Sequence, residues 1–407
     1  RERYGRTLIS TYNHNGTARP GVAFLQPHNG AQPPLRHGRL DGRASYLSYY
    51  EALIADAAGP CPGQPVVFFV DWPGETDRLV ALPRADQTHF FRLYIPEAYA
   101  AGGEFALPLR GYSYVAARQG TLAALARMAD FYRDHAPFLR GSHALPAQSE
   151  AQDRLTLRAR ATAGGAAVHI VNHAFSTRDV WPSPRTNLCV TLPWSAAAPD
   201  SAFAVSPDFP EQRPVPVSLK DAQLTLDVGA VTCSALVLLP KPDTLRPITG
   251  TAPSGTHIVD PQGRAMAVAR EGRFTLWLPP SEDLGLWRRL LGRGTGATRE
   301  LECLETGERQ PARDGAAFAA PPAGGFASGL LLDGFGIPLR HTALTSGTHR
   351  WHTDAWGRYR VPLAHASAAP LTVCGEDGAV HALALSDRFT ARRLLPARTR
   401  IGDFAAS

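Results

Sequence analysis

The chain has 407 residues, 44% of them hydrophobic and 19% charged, which excludes a disordered chain and provides for two to four domains with buried cores. The formal net charge is +6, yet Lys220 and Lys241 are the only lysines among 42 basic residues and the arginines are scattered. No basic segment or basic helix stands out, so nucleic acid is not an expected partner. No apolar run approaches the roughly 18 residues of a membrane-spanning helix. The sequence starts with neither a signal peptide nor an initiator Met, and it is expected to begin inside a longer protein. Cys61, Cys189, Cys233, Cys303 and Cys374 are odd in number and far apart. That spacing favours buried free thiols over a zinc or redox pair and leaves room for a single disulfide.

In chain order, Gly21 to Gln26 reads as a strand and Ala44 to Ala57 as a helix, with Tyr46, Tyr49, Tyr50, Leu53 and Ile54 on one face. Residues 66 to 71 follow as a buried strand. Arg84 to Tyr99 reads as a helix that Pro96 should kink or end, Phe105 to Leu109 as a short strand, and Gly120 to Phe138 as a helix with Leu122, Leu125, Met128 and Phe131 or Tyr132 inward. Three strand-helix units in succession imply a parallel sheet with right-handed crossovers.

From Arg154 the pattern changes to short β-branched or alternating runs: Leu155 to Leu157, Val168 to Val171, Leu188 to Leu192, Leu224 to Val228 and Ala235 to Leu239. Such spacing describes an antiparallel sandwich ending near Pro240, with residues 241 to 247 as a linker.

The last third repeats itself. Ile258-Val259-Asp260-Pro261-Gln262-Gly263 resembles Leu331-Leu332-Asp333-Gly334-Phe335-Gly336, and Glu271-Gly272-Arg273-Phe274 matches Trp356-Gly357-Arg358-Tyr359. Two small β-sandwich modules in tandem are expected. The second copy resembles the transthyretin-like or carboxypeptidase-regulatory-like fold through its Asp-x-x-Gly and Thr-Asp-x-x-Gly-x-Tyr turns. That resemblance implies an accessory module and no particular activity.

Ligands of parallel sheets sit beyond the C-terminal ends of the strands. Here those ends carry His28 and Asn29, then Asp71, Trp72 and Glu75, then Arg110 and Tyr112. Carboxylates, hydrogen-bonding side chains and aromatic faces together suit a saccharide. Glycoside hydrolysis needs two carboxyl groups, and Asp71 with Glu75 is the candidate catalytic pair. Trp72, His28, Asn29, Arg110 and Tyr112 are the candidate substrate contacts. The plainer reading gives Asp71 and Glu75 turn-capping and surface roles around Pro73-Gly74. Glu104 precedes its strand, on the side where residues usually stabilise. Tyr12, His14 and Asn15 fit a polar hairpin turn better than a site rim. His349 and His352 lack further ligands at metal-site spacing, so no metal is expected. No Gly-rich phosphate loop, nucleophile elbow or cofactor motif is present.

The order of PVVFFVDWPGE, a helix, AAGGEFALPLRG, a helix ending MADFYRDHAPFLRG, and a sandwich opening with VHIVNHAF resembles the end of a bacterial glycoside hydrolase. It is most similar to the (β/α)8 barrel and β-sandwich of family 66, the dextranases and cycloisomaltooligosaccharide glucanotransferases. Ala106, Leu107 and Pro108 depart from the polar or acidic residues such enzymes tend to carry after the double glycine. The resemblance implies a polysaccharide or oligosaccharide partner, no cofactor, and a secreted or cell-envelope location. A full barrel needs on the order of 200 to 250 residues, and only about 145 precede the sandwich.

The expected fold class is therefore multidomain α/β plus all-β. Residues 1–145 would form the C-terminal portion of a (β/α)8-barrel-type parallel sheet and 150–242 an antiparallel β-sandwich, followed by β modules at 248–325 and 326–400. A small flavodoxin-like domain is the competing fold for the first part. A non-catalytic carbohydrate-binding or surface-interaction protein is the competing function.

Overall fold

The computed structural model describes residues 10–12, 24–26, 47–58, 66–69, 95–106, 128–129, 131–145, 154–174, 182–260, 265–279, 299–303, 306, 308–319, 326–332, 339, 342–347, 349–353, 357–362, 370–374, 380–383 and 390–393. These fall into two compact units, one drawn from Arg1–Asp200 and Pro216–Leu238, the other from Ser201–Val215 and Leu239–Pro396. Strand predominates, and no helix among the described residues is long and apolar enough to cross a membrane.

In the first unit, β1 (Ser10–Tyr12) pairs in parallel with β2 (Phe24–Gln26), and β3 (Val67–Phe69) in parallel with β4 (Glu104–Ala106). The turn expected at Asn15-Gly16 in STYNHNG lies outside the described residues. Helix α1 (Leu47–Ala58) buries Leu47 and Tyr50, with Leu53 and Ile54 half-buried on the same side. Tyr50, Leu53 and Ile54 lie on the face the spacing predicts. Tyr50 lies 4.7 Å from the Phe68 ring, and Phe68 is fully buried.

A second helix is described over residues 95–101, with Pro96 in its first described turn, and the rest of the helix expected from Arg84 lies outside the described residues. Its end is set by the double glycine. The Gly102 N–H donates to Tyr99 O and the Gly103 N–H to Ala98 O, both at 3.0 Å, with Gly102 at φ +97. This is a Schellman cap, which satisfies carbonyls that the helix end leaves open. A Cβ on Gly103 would stand 2.4 Å from the Phe68 ring, so this position must be glycine for the helix to reach β4 over β3. Residues 128–129 and 131–134 are helical, burying Met128 and Tyr132, and Tyr132 stacks on Tyr99 at 3.8 Å. The short turn Ala136–Phe138 follows.

The same unit continues as antiparallel sheets. One contains, in order, β13 (Ser234–Pro240), β7 (Gly165–Asn172), β6 (Leu155–Thr162) and β5 (His143–Ala144). The other runs β11 (Val217–Lys220), β12 (Gln223–Val231), β8 (Arg185–Pro193). Strand β12 alternates, burying Leu224, Leu226 and Val228, whereas every residue of β7 is buried. A strand covered on both faces reads as a continuous apolar run, and GAAVHIVN is one apart from His169 and Asn172. The polar residues on one side of β6 reach the helical part. Arg158 makes two 2.7 Å bonds to Glu51 of α1, and Arg160 donates to Ser142 and to Ala101 O.

In the second unit, β9 (Phe203–Ser206) and β10 (Phe209–Pro214) form an antiparallel hairpin. Two small sandwiches follow. The first packs the three-stranded sheet β17-β14-β20 (Arg273–Leu278, Arg246–Thr251, Ala316–Ala317) on the four-stranded sheet β16-β15-β18-β19 (Met266–Val268, His257–Val259, Glu300–Cys303, Arg309–Pro311). Its core holds Ile248, Phe274 and Leu276 from one sheet and Ile258, Leu301 and Cys303 from the other.

The second sandwich packs β24-β21-β27 (Arg358–Pro362, Phe326–Leu332, Thr390–Arg393) on β23-β22-β25-β26 (His349–His352, Ala343–Ser346, Leu371–Cys374, Val380–Leu383). Leu331, Tyr359 and Val361 meet Leu344, Leu371 and Val373 in its core. Strand for strand the two topologies are the same, including a parallel pair in each.

The Gly-Arg-aromatic match is in register, since β17 and β24 are equivalent. The Asp-x-x-Gly match is not, because it equates β15 with β21, whose true counterpart is β14. The repeat reads correctly from glycine to aromatic: Gly250 faces Phe274 across one pair and Gly329 faces Tyr359 across the other. A Cβ on Gly250 would stand 2.4 Å from the Phe274 ring, so the missing side chain makes room for the aromatic.

Candidate functional site

The parallel register fixes one feature of the expected site. Val67 lies opposite Glu104 and Phe69 opposite Ala106, so β3 and β4 end at the same sheet edge. Asp71, Trp72, Glu75, His28, Asn29, Arg110 and Tyr112 all lie outside the described residues, as do His14, Asn15 and Cys61.

Glu104 opens β4 at the opposite edge, where its carboxylate is 3.3 Å from Arg140 Nε. That placement matches the stabilising role its position implies. His349 and His352 are both exposed on β23, and His349 tilts over Trp351 at 5.7 Å. Among the described residues no three His, Cys, Asp or Glu side chains converge as a metal site would require. Cys189, Cys233, Cys303 and Cys374 form no disulfide with one another; the middle two are buried and the outer two exposed.

One chemically suggestive cluster was not singled out by the sequence. Glu97 in the second helix is fully buried, and its Oε1 accepts from Thr156 Oγ1 at 3.0 Å and lies 2.9 Å from His173 Nε2. Thr156 Oγ1 and His173 Nε2 are themselves 3.2 Å apart. A carboxylate, an imidazole and a hydroxyl are the components of a nucleophilic triad, but there the imidazole stands between the other two. Here one carboxylate oxygen serves both partners, and all three side chains are buried. The arrangement is a polar clamp joining the second helix to β6 and the end of β7. Its signal was present in the sequence as a lone acid in the apolar stretch Ile95 to Ala101 and a histidine directly after a buried strand.

Four residues before His173, His169 is buried with neither ring nitrogen hydrogen-bonded among the described residues. Burial, aided by the charge of Arg160, lowers its pKa to about 3. His135 is also held below the usual histidine value, by burial that outweighs its bond to Phe131 O and the charge of Asp134. Burial likewise lowers the pKa of Arg160, against the favourable charge of Glu51.

A groove of about 370 Å³ runs between β6 and β8, lined by Leu155, Leu157, Arg185, Leu188, Cys189, Val190 and Thr191. Its lining is at least as polar as apolar, unlike the predominantly apolar pockets that hold small ligands. No carboxylate lines it, so it has no general acid or base for glycoside chemistry.

No family model matches the sequence, and no curated protein matches it. Several solved structures do. A cycloisomaltooligosaccharide glucanotransferase from Paenibacillus sp. aligns at 14% identity over 37% of this chain and 27% of its own, with a TM-score of 0.30. A GH30 endoxylanase from Clostridium papyrosolvens aligns at 7% identity over 54% of this chain and 49% of its own, TM-score 0.26. A gamma-CGTase from an alkalophilic Bacillus clarkii aligns at 10% identity over 91% of this chain and 63% of its own, TM-score 0.28. The chain thus spans less than two thirds of each. Likeness at this level assigns neither a family nor an activity.

Proposed function

We propose that the chain is part of a glycoside hydrolase or transglycosylase acting on a polysaccharide or oligosaccharide through paired carboxylates, Asp71 and Glu75, without a cofactor. The observation that supports this reading is the parallel pairing of β3 with β4. Asp71 follows Phe69 by two residues, a reach of about 7 Å, and Arg110 and Tyr112 follow Ala106 from the same edge. That edge is where parallel sheets carry their ligands. Trp72 would stack on a sugar face, and His28, Asn29, Arg110 and Tyr112 would hydrogen-bond its hydroxyls. In this proposal residues 1–145 are the C-terminal portion of a (β/α) barrel and 150–242 its accompanying β-sandwich. Residues 248–325 and 326–400 are transthyretin-like accessory modules, and the protein acts outside the cell or at its envelope.

The test is release of reducing ends from a panel of polysaccharides by the full-length protein. Asp71→Asn should lower turnover by about 10²-fold or more, the usual contribution of a positioned acid or base. Unchanged turnover on every glycan that is cleaved removes Asp71 from the proposal.

A second reading, a non-catalytic carbohydrate-binding protein, is favoured by the engagement of nearby acids. Glu51, Glu97 and Glu104 are each held by a partner side chain. Retention on an immobilised polysaccharide without any release of product would select this reading.

A further inference from the structure

The two sandwiches of the second unit meet by a specific rule. In the first, Ile258, Leu301 and Cys303 point into the core, so the alternate residues Val259, Met266 and Glu302 project from the outer face of the four-stranded sheet. In the second, Leu331 and Tyr359 point into the core, so Leu330, Leu332 and Arg358 project from the outer face of the three-stranded sheet. Val259, Met266, Leu330 and Leu332 form one buried apolar cluster. Beside it, Arg358 Nη1 donates to Glu302 Oε1 at 3.2 Å, while Arg309 holds Oε2 of the same carboxylate, also at 3.2 Å. An acidic, apolar four-stranded face is thus covered by a basic, apolar three-stranded face.

The second sandwich has its own four-stranded face, and the shared topology allows it to be compared residue by residue. Ile258 opposes Cys303 and Ala267, as Leu344 opposes Val373 and Trp351. On that alignment Val259, Met266 and Glu302 correspond to Thr345, Arg350 and Thr372. Each residue that makes the first face an interface has been exchanged. The apolar pair has become a hydroxyl and a guanidinium, and the carboxylate that received Arg358 has become a second hydroxyl. Thr345 Oγ1 and Thr372 Oγ1 bond each other at 2.8 Å on an exposed surface. His352 is exposed beside Arg350 on the edge strand. A covering face of the same kind would set its arginine on Thr372, where no carboxylate receives it, and its leucines on Thr345 and Arg350, burying a guanidinium and both hydroxyls without apolar gain, a desolvation penalty.

We infer that the four-stranded face acts as acceptor and the three-stranded face as donor in this chain, and that the acceptor face of the second sandwich is closed to another module of the same kind by Thr345, Arg350 and Thr372. The partner the first face fits is therefore a basic sheet face, and the second face rejects it.

Elastase cleavage in the Ala- and Gly-rich residues 319 to 325 reads the docking in the full chain. The acceptor variant V259T/M266R/E302T and the donor variant R358E should each be cut at least tenfold faster than wild type. Wild-type cleavage rates in both would overturn the rule. The closed face is tested by appending a second copy of residues 319 to 396 to the full chain. The new linker should be cut readily on the wild-type background. It should be protected at least tenfold when T345V, R350M and T372E write the acceptor residues onto the second sandwich. Equal protection on the wild-type background would show that the face is open, and continued cleavage in the triple variant would show that these residues do not decide it.

Discussion

Replacing His169 by leucine should flatten the dependence of the first unit's stability on pH. His169 sits in the wholly buried strand β7, across the ladder from Arg158, with neither ring nitrogen hydrogen-bonded among the described residues. Burial and the nearby Arg160 hold its pKa at about 3, against 6.5 for an ordinary histidine. In the folded protein the ring stays neutral down to about pH 3, whereas the unfolded chain takes up a proton below about 6.5. Stability therefore falls as pH falls through that window. The linkage relation gives a loss of about 2 kcal/mol between pH 7.5 and pH 5 and about 4 kcal/mol by pH 3. His169→Leu keeps the apolar packing and removes the proton site. Hydrogen exchange of peptides covering residues 155–172, corrected for intrinsic rates, measures the opening of these strands directly. The wild type should lose about 30-fold more protection than the variant on going from pH 7.5 to pH 5, the equivalent of that 2 kcal/mol. An equal loss in both proteins would show that the ring is reached by water or protonated in place.

Two further substitutions probe packing. Glu97→Ala removes the acceptor that Thr156 and His173 share and should destabilise the first unit by about 1–3 kcal/mol, seen as a lower thermal midpoint; an unchanged midpoint would mean the clamp contributes nothing. Gly250→Ala places a Cβ 2.3 Å from Ala316 O and 2.4 Å from the Phe274 ring and should cost about 1–3 kcal/mol or more through overpacking. Gly255→Ala, where nothing lies within 4 Å but φ is +87, should cost about 1 kcal/mol from backbone strain alone. Equal effects at the two glycines would contradict the packing argument.

The sequence disclosed the strands whose side chains alternate or are strongly apolar, and it concealed those stabilised by their neighbours. Strands β6, β7, β8, β12 and β13 announced themselves by β-branched runs. Strands β9, β10 and β11 did not, because Phe203–Ser206 is short, Phe209–Pro214 contains two prolines, and Val217–Lys220 is an edge strand with half its residues exposed. Pro96 misled for a physical reason. In the described helix Pro96 falls in the first turn, where its missing N–H has no helical partner to lose, and the helix through residue 101 is closed by Gly102 and Gly103 instead. The repeat was half legible: Gly-Arg-aromatic marks a tight turn into a core strand, whereas Asp-x-x-Gly recurs after strands that are not equivalent. Glu97 and His173 stood out singly, but their union with Thr156 in a clamp was not legible, because its members lie up to 76 residues apart and meet only once the second helix packs on β6.

The hairpin β9–β10 belongs to the second unit although it precedes the apparent linker at residues 241 to 247. Gln212 accepts from the Trp277 N–H at 2.8 Å and donates to Trp277 O at 3.2 Å, so its side-chain amide stands where a neighbouring strand's backbone would be. Phe203 stacks on the Trp277 ring at 4.6 Å, and the Trp277 indole N–H donates to Ser201. Strand β17 is thus an edge insulated by a segment more than sixty residues upstream. Cutting the chain at the proline-rich linker would strip that insulation and expose an unpaired strand beside an indole, the kind of edge that recruits other strands. A gene fragment that begins at residue 241 should therefore yield a more aggregation-prone product than one that also carries residues 201 to 215. The boundary that matters for moving these modules between proteins is written in Gln212 rather than in the prolines.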